Sequence, residues 1–160
     1  MKLKSILLAE DSPMDVELTL EALQLNHEVI VVEDGEAALD YLFRREKYAN
    51  RDAGNPDLIL LDLKLPKLNG LEVLASIKKC DLLKTIPVVV LTSSKEQPDL
   101  KKAYELGANA YVVKPVVFDK FMEAVRQIGQ FWANLNETPP VAPGGPIDMS
   151  GTNGTLGIHG

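Results

Sequence analysis

Leu58-Ile59-Leu60-Leu61-Asp62 decides the fold: four consecutive aliphatic residues closed by an acid. A strand with one wet face alternates apolar and polar residues. An unbroken apolar run belongs instead in a strand covered on both faces, as in a parallel sheet between two layers of helices. Four more such runs flank it: Ile6-Leu7-Leu8-Ala9, Val29-Ile30-Val31-Val32, Val88-Val89-Val90-Leu91 and Tyr111-Val112-Val113. Between the runs the period becomes helical. Ser12 reads as an N-cap, Pro13 as the first helical residue, Asp15 as a capping-box acid, and Val16, Leu20 and Leu23 as the apolar stripe. Similar segments cover residues 35–45, 70–79, 95–106 and 118–135; in the last, Phe121, Val125, Ile128 and Trp132 share one face. Five strand–helix units predict an α/β, doubly wound parallel sheet with right-handed crossovers.

Two stretches depart from this rhythm. Residues 46–55 form a longer charged connection, read as solvated, with a partner contact as the alternative. After about Ala133 the composition turns to Pro139-Pro140-Val141-Ala142-Pro143-Gly144-Gly145-Pro146 and a Gly/Ser/Thr/Asn tail. Such a tail buries too little apolar surface to offset its ordering entropy. One domain is expected over residues 1–135, with a disordered tail over 136–160.

Bulk properties narrow the function. At 160 residues the chain can build one domain with a substantial core. A net charge of −6 argues against nucleic acid, which calls for a basic face. No apolar run approaches the ~18 residues of a membrane span. The N-terminal stretch is too short and too soon acidic for a signal peptide. Cys80 is the single cysteine, which rules out an internal disulfide and suits a reducing cytosol; it reads as a partly buried or surface thiol. A cytoplasmic protein without membrane or nucleic-acid partners is the expectation. His27 and His159 lack metal-ligand company and are assigned to the surface.

In open α/β sheets, functional groups gather at the carboxyl ends of strands, where strand order reverses. Here those ends carry Glu10-Asp11, Asp62, Thr92-Ser93-Ser94 and Lys114-Pro115. If the strands take the order 2-1-3-4-5, the first and third are neighbours and three carboxylates converge. Like charges ~4 Å apart repel by about 4 kcal/mol per pair at an effective dielectric near 20, more than one Lys114 can offset. Either a carboxyl holds its proton or a cation binds. An oxygen-only donor set suits Mg²⁺, which accepts carboxylates together with a phosphate oxygen. A carboxylate can attack phosphorus to give an acyl phosphate. Asp62 is the candidate, with Lys114 supplying charge and Thr92 or Ser93 a hydroxyl. Any one strand-end acid more often just caps a helix; four functional strand ends in order are harder to explain that way.

Together these motifs resemble the receiver domain of bacterial response regulators over about residues 3–132. The residues that carry the resemblance are Ile6 through Asp11, Leu58 through Pro66 to Gly70, Pro87 through Ser93, and Gly107 through Pro115. It implies a flavodoxin-like sheet of order 2-1-3-4-5 with five helices. It further implies Asp62 as phosphoacceptor, Asp11 as direct Mg²⁺ ligand, Glu10 as ligand through water, and the Lys64 backbone carbonyl as a main-chain ligand. Thr92 would be the switch hydroxyl, Tyr111 the switch aromatic, Lys114 the phosphate-binding lysine, and Lys114-Pro115 a cis peptide bond. Lys64 and Ser94 occupy places that tune loss of the phosphoryl group. Glu10 departs from the family's Asp at the first acidic position, a common variant that lengthens the reach to the metal by one methylene. Residues 48–51, Leu82 through Pro87 and Gln130-Phe131-Trp132 resemble the small receivers paired with bacterial phytochromes.

The resemblance implies a phosphoacceptor switch rather than an enzyme, served by a sensor histidine kinase, with a phytochrome-type kinase as the candidate. Output is expected through a partner or a homodimer formed by the fourth helix, fifth strand and fifth helix. A relay intermediate passing its phosphoryl group to a histidine phosphotransfer protein is the alternative. A phosphohydrolase is disfavoured by Lys64 where such enzymes place a second acid. A flavin carrier is disfavoured by Glu10-Asp11 where a phosphate would be repelled.

Overall fold

The apolar runs become the strands of one sheet, in the order β2-β1-β3-β4-β5 and parallel throughout. The computed structural model describes residues 4–24, 26–52 and 54–137. Along the chain β1 (Lys4–Ala9) is followed by α1 (Pro13–Leu23), β2 (His27–Val32), α2 (Gly35–Phe43), a 3-10 turn (Glu46–Tyr48) and β3 (Leu58–Leu61). Then come α3 (Gly70–Lys79), β4 (Val88–Thr92), α4 (Gln97–Glu105), β5 (Ala110–Val113), α5 (Phe118–Ile128) and a π-helix (Gly129–Leu135). This is the flavodoxin-like layout with five α-helices.

Successive side chains of a strand face opposite ways, so the continuous runs feed two cores. Leu7, Ile59, Leu61, Val88 and Val90 meet α2 and α3 through Ala38, Leu42, Val73, Leu74 and Ile77. On the other face Ile6, Leu8, Leu58, Leu60, Val89 and Leu91 meet α1 and α5 through Leu23, Phe121, Val125 and Ile128. The N-cap expected at Ser12 forms, its Oγ accepting from the Asp15 N–H at 3.3 Å. Asp34 and Asn69 cap α2 and α3 in the same way.

Register places the site. Ala9 pairs with Leu61 and Thr92 with Val113, so Glu10 and Asp62 leave neighbouring strands side by side, and Lys114 leaves beside Thr92. One more backbone bond holds each in line: Glu10 N–H to Val32 O at 3.0 Å, Asp62 N–H to Ala9 O at 3.1 Å, and Lys114 N–H to Thr92 O at 2.8 Å.

Several expectations need correction. The Lys114-Pro115 bond is trans, as is every peptide bond among the described residues. Trans is the intrinsically lower form at X-Pro by ~0.5–1 kcal/mol, and the chain beyond it runs outward, leaving Val116 95% exposed. His27 is buried rather than on the surface. It opens β2 beneath the π-helix, its Nδ1 lying 3.3 Å from the Leu23 carbonyl. Segment 118–135 is two helical windings, the second closed by Asn136 N–H to Phe131 O at 2.6 Å. The change comes at Gly129, where a Cβ would stand 2.7 Å from Leu23 Cδ2. Trp132 then packs on the second core while Phe131 is half exposed.

The 46–55 connection is also not simply solvated. The Arg51 guanidinium lies 4.1 Å above the Tyr41 ring and its Nε donates to the Tyr41 carbonyl at 2.7 Å. Tyr48 meets Tyr41 edge-on at 5.2 Å, so cation–π and aromatic contacts fold the segment back onto α2. Cys80 is a free thiol buried in the first core rather than partly buried or at the surface. The expected tail lies outside the described residues beyond Glu137, as does His159. No helix among the described residues is long and apolar enough to cross a membrane.

Candidate functional site

At the carboxyl edge of the sheet, β1, β3 and β5 deliver Glu10, Asp62 and Lys114 to one point. The Lys114 ammonium donates to Glu10 Oε1 at 2.7 Å, Asp15 Oδ2 at 2.8 Å and Asp62 Oδ2 at 2.9 Å. Glu10 and Asp62 are buried, 2% and 7% exposed, whereas Asp11 faces solvent. Carboxylate oxygens of Glu10, Asp11 and Asp62 lie within 4.8 Å of one another. Asp62 Oδ1 accepts from the Lys64 N–H at 3.2 Å, and Glu10 Oε2 from the Ser12 N–H at 3.1 Å. Gly70 makes this packing possible. A Cβ there would sit 2.2 Å from the Asp62 carbonyl oxygen, so only glycine lets α3 start against the strand end.

Burial favours the first of the two ways to relieve three crowded carboxylates. Burial pushes the Glu10 carboxyl up to about 7, the charge of Asp62 adds to the rise, and the Lys114 hydrogen bond only partly opposes it. Burial also works against the Lys114 ammonium. Its hydrogen bonds to Asp15, Glu10 and Asp62 prevail and hold it above the usual lysine range. Three carboxylates thus share the Lys114 ammonium, and Asp11 lies beside two of them. The donor set is all oxygen, with one member open to solvent, and it is short of positive charge; it fits a hard divalent ion.

The hydroxyls expected of β4 divide. Thr92 is fully buried at the strand end, its Oγ1 3.4 Å from the Ser94 N–H, while Ser93 is exposed. Ser94 is buried too, and its Oγ donates to Asp99 Oδ2 on α4 at 2.6 Å. The Tyr111 hydroxyl donates to the Ser94 carbonyl at 3.1 Å. Burial raises the Tyr111 phenol, with Asp99 and Asp62 adding to the shift and the Ser94 hydrogen bond opposing it. Thr92, Ser94, Tyr111 and Asp99 therefore join the site edge to α4. Lys64 itself is exposed.

The sequence presents Asp15 only as a helix-capping acid. It does occupy the first turn of α1, but its carboxylate turns back to Lys114. The clue is positional: an acid in the first turn after β1 lies at the same sheet edge as Glu10-Asp11.

The chain is similar to known proteins over most of its length. Response regulator Rcp1 of Synechocystis sp. is 45% identical over 139 residues, spanning 85% of this chain and 93% of that protein. The Mn²⁺-bound form of a response regulator Rcp1 matches with a TM-score of 0.80 at 43% identity, over 86% of this chain and 99% of the other. The phosphorylated cyanobacterial phytochrome response regulator RcpA gives a TM-score of 0.82 at 42% identity, over 87% and 100%. The bacteriophytochrome response regulator RtBRR gives 0.69 at 58% identity, over 87% and 86%. Residues 6–126 match the response regulator receiver domain, and the chain belongs to that family.

Proposed function

We propose that the chain is a phosphorylation switch whose acceptor is Asp62, charged by a sensor histidine kinase of phytochrome type. One observation carries the chemistry: Asp62 sits at the edge of the sheet with Oδ2 on the Lys114 ammonium and Oδ1 on a backbone N–H, beside two further carboxylates. A phosphoryl group reaching this point meets a nucleophile and a charged donor already in place.

Glu10, Asp11 and Asp62, with the Lys64 carbonyl, are the residues that would hold Mg²⁺, which supplies charge neutralisation for the incoming phosphoryl oxygens. The chemistry itself falls to the chain's own side chains. An Asp62 oxygen attacks phosphorus, forming a P–O bond as the P–N bond of the phosphohistidine breaks, and the electron pair leaves on the imidazole nitrogen. Lys114 donates to the new phosphoryl group. Thr92 moves toward it and Tyr111 takes up the space released, which shifts the Ser94–Asp99 link and with it α4. Output passes through the α4, β5 and α5 face to a partner or a second copy of the chain. The chain catalyses nothing beyond its own phosphorylation and dephosphorylation. The phytochrome-type partner is supported by the likeness to RcpA and RtBRR.

Intact-mass measurement after acetyl phosphate treatment tests the core of this reading. Wild type should gain one phosphoryl group with Mg²⁺ and none without, and Asp62→Asn none in either. Uptake by Asp62→Asn equal to wild type would overturn the assignment.

A further inference from the structure

We propose that Asp15 is a positioning residue for phosphoryl transfer, holding the Lys114 ammonium at Asp62 while its other two partners change. The inference rests on the phosphoacceptor reading of Asp62. A lysine ammonium has three donors, and Glu10, Asp15 and Asp62 take all three at 2.7, 2.8 and 2.9 Å. Two of these partners are diverted during the reaction. The Asp62 carboxylate loses its charge on becoming an acyl phosphate, and Glu10 belongs to the carboxylate set that fits a cation. Asp15 belongs to neither group, so its bond to Lys114 persists throughout.

The local structure suits this role. Asp15 is rigidly placed, because Ser12 Oγ receives its N–H at 3.3 Å and the Ser12 carbonyl receives the Val16 N–H at 2.9 Å. Its side chain is 26% exposed and Lys114's is 9%, so the pair is half shielded from water while Asp15 stays outside the buried carboxylate pair. A lysine has four rotatable side-chain bonds and a compact charge that can point many ways. Fixing its tip from the helix side leaves two donors free to swing from carboxylates to phosphoryl oxygens. A capping acid would have no reason to reach across to β5, and Asp15 spends its carboxylate there rather than on the backbone of α1.

The test compares initial phosphorylation rates with acetyl phosphate at saturating Mg²⁺, read by intact mass, for Asp15→Asn and Asp15→Glu. Each is made in wild type and in Lys114→Ala, with thermal unfolding to confirm folding. Losing this charged hydrogen bond should slow wild type about tenfold. Asp15→Glu should recover at least half the rate, and Asp15→Asn should slow Lys114→Ala no further, because the anchor has nothing left to hold. Equal slowing in both backgrounds, or an unchanged or faster rate in Asp15→Asn, would overturn the proposal. If wild type takes up no phosphoryl group, it is the Asp62 reading that fails, and the two failures are thereby separate.

Discussion

Glu10 shows what burial does to a single side chain. Its carboxyl sits at about 7 in the folded chain against an ordinary 4.5. Because the folded value is the higher, folding takes up a proton between these two values. The contribution of Glu10 to stability is therefore complete below pH 4.5 and lost as pH rises through 7, amounting to about 3 kcal/mol. In metal-free buffer, urea unfolding of wild type should weaken between about pH 5 and 8 by more than that of Glu10→Gln. Parallel pH profiles for the two would show that Glu10 does not titrate there. Added Mg²⁺ should restore part of the lost stability, since whatever binds only the folded state stabilises it. At this scale the sequence announced which residues gather at the sheet edge but not their partners. Asp62, Glu10, Asp11, Thr92 and Lys114 could be named from strand ends. That Asp15 would leave its cap for Lys114, or that His27 would be covered by a π-helix, depends on contacts made by residues far apart in the chain.

Between residues and molecule lie the joints of helix and strand. Gly70 lets the N-terminus of α3 meet the backbone of Asp62 and Leu63, where a Cβ would approach to 2.2 and 2.6 Å. Those atoms are backbone and cannot rotate aside. Gly70→Ala should therefore cost at least ~2 kcal/mol of stability and displace Asp62 enough to slow its phosphorylation. A stable protein with unchanged phosphorylation would mean the joint yields more readily than this geometry allows. The helix start at Ser12 was the most legible feature, because a cap is a local hydrogen bond between residues three apart. The folding-back of 46–55 was less so: Arg51 finds Tyr41 ten positions earlier, and nothing in a charged run says which aromatic it will cover.

For the molecule as a whole, one sheet belongs to two cores. Leu60 is fully buried in the core toward α1 and α5, while its strand neighbours Ile59 and Leu61 line the other. Neither core can dissolve without breaking the strands that serve both, so the described domain should unfold as one unit. The far-UV signal and the fluorescence of Trp132, the sole tryptophan, should give coincident urea transitions. Leu60→Ala should lower both by about 2–5 kcal/mol. Separated transitions would show that the π-helix carrying Trp132 melts by itself. The sequence alone determined the layered α/β architecture and the edge at which chemistry collects. Both obey local rules: an unbroken apolar run demands cover on two faces, and the residue just past a strand emerges from the buried sheet at its edge. Only the tertiary structure decided how charge is shared at that edge. Three carboxylates converge on one ammonium, and burial raises the Glu10 carboxyl to about 7. Those outcomes depend on distances between separate strands and on how completely water is excluded, and both are set only when the helices close over the sheet.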